Sequence, residues 1–189
     1  MKIIKSKIFR IIVALFILGF ILGIVLFYKI GANEQIYDYF NNIKNNNINY
    51  SDNLIFSILT NSKYMIFIWI SGIIIFLSFL IPFLIIYRGI LNGFIFISII
   101  HLFHLKGLLV GLILLFPCVL VNECIYLLIS YYSLNFSLRT FNIIKHNKEI
   151  NLRLYIKNYF YQFILFLILI ILNCLFETFI SSNIIRYVI

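Results

Sequence analysis

Two residues of this sequence carry an ionisable group where the neighbouring residues are almost all apolar. Glu123 follows Asn122 inside LFPCVLVNECIYLLI, and Arg88 stands in YRGILNGF between FLSFLIPFLII and IFISII. A charge at a bilayer centre costs about 3 kcal/mol on insertion scales, so an acid within a spanning run marks a functional site by default. For Glu123 the sharper reading is a proton relay or a substrate-binding carboxylate. The plainer reading, which we favour, is a protonated or hydrogen-bonded carboxyl that holds helices together. Arg88 is expected at or about one turn inside the cytoplasmic end of a helix, its stem snorkelling to water. Asn92 either bonds across a helix contact, for about 1 kcal/mol, or is hydrated near the turn. Glu177, in FETFISS, is a solvated charge near the external end of the last helix or a helix-packing contact.

Other chemistry finds little support. His101 and His104 are spaced to share a ligand, but two histidines without an HExxH motif make an incomplete metal site. Neither a P-loop, nor GxSxG, nor a GxGD-like pair of membrane aspartates occurs. The expectation is therefore no enzyme, no metal and no cofactor. Cys118, Cys124 and Cys174 lack CxxC spacing and read as small buried hydrophobes.

Glycine spacing points to helix packing instead. Gly89 and Gly93 form a GxxxG pattern, which lets a neighbouring helix approach closely. The same spacing recurs at Gly107/Gly111 and at Gly19/Gly23.

The elements that must carry these residues follow from composition. The 189 residues are 63% hydrophobic and 11% charged, with a mean hydropathy of +1.08. Soluble domains run at about half apolar and a quarter charged, so the chain reads as an integral membrane protein. Five apolar runs, 8–28, 64–80, 82–103, 108–132 and 154–172, approach or exceed the roughly 20 residues that cross a bilayer as a helix. Strands of alternating polarity are absent, which indicates helices rather than a barrel. The expected fold is a single all-α domain, residues 1–189, a five-transmembrane-helix bundle. Its first helix reads as a retained signal anchor, too long for a cleaved h-region.

Net charge is +9. In a soluble chain that would suggest nucleic acid, but here the positions of the charges give a better account. Lys2, Lys5, Lys7 and Arg10 head the first run, and Arg139, Lys145, Lys148, Arg153 and Lys157 surround the loop 133–153. By the positive-inside rule these ends are cytoplasmic, the loop 29–63 is external and the C-terminus lies outside. The partner implied is the lipid bilayer, with no nucleic acid.

Residues 61–130 carry a further pattern. NSKYMIFIWISG, then IPFLIIYRGILNGF, then HLKGLLVGLILLFPCVLVNE resembles the stage II sporulation protein M family of bacterial membrane proteins. The matching positions are Asn61 before the second helix, Trp69, Gly72, Pro82, Gly89, Gly93, Gly107 and Pro117. The resemblance implies a non-enzymatic, multi-pass scaffold of the septal cell membrane. It would hold the peptidoglycan hydrolases known as stage II sporulation proteins D and P while the septal wall is thinned for engulfment. A transporter or permease subunit using Glu123, Arg88 and Asn92 along a polar path is the alternative, and an intramembrane enzyme the weakest option.

Overall fold

The computed structural model describes residues 6–31, 50–114, 119–146 and 152–181. Among them are five α-helices and no strand: α1 (Lys7–Ile30), α2 (Tyr50–Ile73), α3 (Leu80–Leu114), α4 (Leu120–His146) and α5 (Leu152–Phe176). A 3₁₀ turn, Ile75–Phe79, leads into α3, and a π turn, Glu177–Ser181, follows α5. Four stretches are long and apolar enough to cross a membrane: Lys7–Ile30, Ser51–Ile73, Ile75–Leu102 and Leu154–Phe179. Large apolar side chains cover the outward faces, among them Ile17, Leu18 and Ile21 of α1 and Leu165, Ile168 and Leu172 of α5. Such a surface is stable against lipid and would be an aggregation hazard in water.

The helix limits differ from those suggested by hydropathy, each for a physical reason. α2 begins at Tyr50, not near residue 64, so Ser57 and Asn61 lie on its inner turns and not in an external loop. A polar face turned into the bundle lowers mean hydropathy without ending the helix. Pro82 does not break the chain. It occupies the first turn of α3, where its missing N–H has no intrahelical partner to lose, and the reversal falls just before it, at the extended Ile74 and the Ile75–Phe79 turn. α3 continues past residue 103 but bends at His104, whose φ of 52° and ψ of −127° are a combination that residues with side chains rarely adopt. The run 108–132 is thus not one helix: residues 108–114 belong to α3 and 120–132 to α4. Pro117 and Cys118 lie outside the described residues.

α1 and α3 pack backbone to backbone. A Cβ added to Gly19 or Gly23 would run into the carbonyl oxygens of Ile86 and Ile90, and one added to Gly89 or Gly93 would run into those of Phe16 and Phe20. The two GxxxG faces therefore lie against each other, each glycine leaving room for the other helix's main chain. Around this seam Phe20 meets Phe96, and Phe27 meets Phe94 and His101, with ring centroids 5.4–6.0 Å apart. Gly107 is buried beyond the His104 bend, with Gly111 one turn further along α3.

The obstacle at Gly93 is main chain, which no side-chain rotamer can relieve. Gly93→Leu is expected to destabilise the detergent-solubilised protein by at least about 1–3 kcal/mol, whereas Ile95→Leu, on the exposed side of the same helix, should have little effect. Thermal unfolding of the two variants makes the comparison, and equal melting temperatures would remove the packing argument.

Candidate functional site

α4 is the helix that meets all four others, and its inner face is polar. Glu123, Tyr126, Ser130, Ser133 and Ser137 recur at alternating intervals of three and four residues, and all are buried. That interval keeps them on one stripe of an α-helix. The helix is apolar toward lipid and polar toward protein, which is why its average hydropathy understates its place in the bundle.

At the head of the stripe Arg88 Nη2 meets Glu123 Oε1 at 2.9 Å, the two side chains being 14% and 4% exposed. The guanidinium also lies over the ring of Tyr126, 4.0 Å from its centroid, and 5.2 Å from that of Tyr64. The Tyr126 hydroxyl donates to the backbone carbonyl of Asn61 at 2.8 Å and stands 3.0 Å from its Oδ1. Asn61 Nδ2 in turn faces Ser57 Oγ at 3.4 Å and Cys174 Sγ at 3.5 Å. Ser57 bonds the carboxylate of Glu177, which also feels the charge of Arg88. One polar chain thus runs from α3 through α4 and α2 to the end of α5.

Arg88 therefore does not snorkel. It lies eight residues beyond Leu80, about 12 Å along α3 at 1.5 Å per residue, and its charge is met inside the protein. Glu123 occupies the first turn of α4, where a carboxylate complements the unpaired N–H groups and the helix dipole. Since that first turn lies level with Arg88, α4 begins well inside the bundle and not at the far end of α3, near His104. Glu177 is half-buried and bonded to Ser57 on α2, which is a contact between helix ends. Three polar atoms around the ion pair are buried without a protein hydrogen bond: Arg88 Nε, Asn92 Nδ2 and Asn122 Oδ1.

A second polar contact ties the other end of the stripe. The Tyr159 hydroxyl donates to the Trp69 carbonyl at 2.9 Å and lies 2.8 Å from Ser133 Oγ. Gly72 makes room for it, since a Cβ there would fall 2.5 Å from Tyr159 Oη and 2.7 Å from Ser133 Cβ. Trp69 stacks on Tyr159 at 5.7 Å and leans on Phe163 at 4.5 Å. Trp69 and Gly72 thus belong to a joint between α2, α4 and α5.

The structure brings Asn61, Arg88, Glu123 and Glu177 into one network, with Asn92 and Asn122 on its edge. Gly89 and Gly93 face away from it, toward α1. His101 packs against Phe27, and among the described residues no group of three or more His, Cys, Asp or Glu side chains is placed to hold a metal ion. Cys174 is fully buried, but Cys124 is exposed, so it is not a core hydrophobe. Tyr126, Tyr64, Ser57, Ser133 and Tyr159 escape sequence reasoning. Tyr126 had one available signal, since it lies three residues after Glu123 and so shares its face.

A family model described as Stage II sporulation protein M matches residues 12–182. No curated protein matches the chain, and no solved structure does.

Removing one member of a buried ion pair strands the other, at a cost of about 3–5 kcal/mol, whereas apolar replacement of both is far milder. Arg88→Met and Glu123→Met are each expected to lower the unfolding midpoint sharply, and the double variant to be more stable than either single one. Additive losses in this double-mutant cycle would show that the two side chains do not depend on each other.

Proposed function

The chain belongs to the stage II sporulation protein M family, and from that membership we propose that it is a non-enzymatic membrane scaffold. In this reading it places cell-wall hydrolases, the stage II sporulation proteins D and P, at the septal membrane during engulfment. The observation that carries the reading beyond the family is how the polar side chains are used. Arg88, Glu123, Tyr126, Asn61 and Glu177 are engaged with one another across three helices and the turn that follows α5, an arrangement that stiffens a bundle. Four membrane-crossing stretches make a multi-pass protein suited to receiving the single-span anchors of its partners. The topology that goes with this proposal takes the run 108–132, broken between α3 and α4, as a fifth passage, and puts the basic N-terminus and the basic residues from Arg139 to Arg153 in the cytoplasm and the C-terminus outside.

A specific observation keeps the permease alternative in view. Arg88 Nε, Asn92 Nδ2 one turn along α3 from it, and Asn122 Oδ1 beside Glu123 in the sequence are buried without a protein hydrogen bond, and a polar path through the bundle would use such groups.

Cysteine labelling of intact cells is expected to reach probes at Asn46 and at the C-terminus but not at Asn147; labelling at Asn147 contradicts the topology. For function, loss of the protein in its host should leave the hydrolases dispersed and the septal wall unthinned. The Arg88→Met/Glu123→Met double variant keeps bulk while abolishing titration, so a scaffold should still co-purify with the hydrolases and restore engulfment. Failure of engulfment with the hydrolases bound and correctly placed would favour the permease.

A further inference from the structure

At the end of the bundle where α2 finishes, α4 and α5 leave a cavity of about 290 Å³ between them. One wall is a stack of three rings: Phe136 lies between Tyr155, with centroids 4.9 Å apart, and Tyr159, 4.2 Å apart. Phe136 and Tyr159 are buried and Tyr155 is half-buried. Asn135 and Arg139, one turn apart on α4, and Asn158 and Gln162, one turn apart on α5, also line the cavity. Three primary amides and a guanidinium thus converge from two facing helices. Arg139 is held by a hydrogen bond to the Tyr155 hydroxyl, and no carboxylate lines the space.

We propose that this cavity binds a phosphate ester. The guanidinium supplies a planar fork matched to phosphate oxygens, and the side-chain amides supply neutral donors beside it. The sequence between residues 134 and 157 is basic, with Arg139, Lys145, Lys148, Arg153 and Lys157 against the single acid Glu149, a balance that favours anions. The volume lies just below the roughly 300–1,000 Å³ of small-molecule pockets, which suits a headgroup and not a nucleotide. Trp69, Tyr131, Tyr132, Tyr155 and Tyr161 cluster at this level, and Trp and Tyr collect where hydrocarbon meets headgroups. The phosphate can come from an anionic phospholipid of the adjoining leaflet or from a soluble phosphate ester. The proposal does not depend on the scaffold reading.

The test uses the full chain, delipidated in detergent, with native mass spectrometry counting bound phosphatidylglycerol, phosphatidylcholine or glycerol 3-phosphate. Phosphatidylglycerol is expected to be retained over phosphatidylcholine, with retention falling at least about tenfold in Arg139→Gln, as loss of a charge-assisted hydrogen bond implies. Lys145→Gln, exposed and off the cavity, should leave retention intact. Binding of glycerol 3-phosphate alone, with the same dependence on Arg139, assigns the soluble source and keeps the site. Asn158→Leu leaves net charge unchanged and should also weaken binding, which provides the test if Arg139→Gln does not fold. Equal losses in Arg139→Gln and Lys145→Gln would reduce the effect to a diffuse basic surface and overturn the proposal, as would the absence of binding by either phosphate probe.

Discussion

A charge drawn into a bundle surrounded by hydrocarbon has to be answered there, because water is not available to do it. Arg88 and Glu123 answer each other at 2.9 Å, and the helix positions follow from keeping them together. The pair sets the depth of α4 against α3. Tyr126, held under the guanidinium, then carries the contact to α2 through Asn61, and Ser57 carries it to Glu177 after α5. Helices in lipid gain no hydrophobic advantage from meeting one another, so polar links and close packing decide which faces meet. A buried ion pair is weak evidence of net stability, and its best-attested use is to fix register. Here it fixes the register of three helices and the start of a turn.

The remaining helix is attached by different means. α1 carries no polar contact to the central network among the contacts described above. It is held by shape, its Gly19/Gly23 face laid on the Gly89/Gly93 face of α3. α3 thus has two working sides: glycines toward α1 and, one residue before Gly89, the arginine toward α4. Successive residues on a helix point about 100° apart, so a single stretch, YRGILNGF, serves both neighbours. That is why two glycines, an arginine and an asparagine occur together in an otherwise apolar run. Asn92, one turn from Arg88, stays on the polar side.

Much of this architecture was legible in the sequence, though not all at the same depth. α1 is uniformly apolar and ends at Gly31, whose φ of 86° suits glycine, so its limits agree closely with hydropathy. Gly89 and Gly93 announce a close approach without saying to what, because a spacing rule describes one surface and not its complement. Arg88 reads locally as a snorkelling residue because its partner lies in another helix, and nothing local marks Glu123 as that partner. α2 at its start and α4 at its end run beyond their apolar stretches for a shared reason: they turn serines, asparagines and tyrosines inward. A window average counts those residues against the membrane when they are hidden from it. The bend at His104 had no signal at all, since neither proline nor glycine occupies that position.

Under the proposed scaffold role, the use of the glycine faces constrains how partners would be met. A GxxxG surface on a membrane helix is ordinarily an invitation to a second helix, but both such surfaces on α1 and on the first part of α3 are spent on each other. The polar stripe of α4 is likewise turned inward. What remains outward on α1 and α5 is branched and bulky, Ile17, Leu18 and Ile21 on one helix and Leu165, Ile168 and Leu172 on the other. Contact with a partner's anchor would then depend on the fit of large side chains, not on backbone approach or buried hydrogen bonds. Such contacts are individually weak and numerous. A rigid bundle offsets part of their entropic cost because its side of the contact is already ordered, which gives the central ion pair a consequence at the protein's surface.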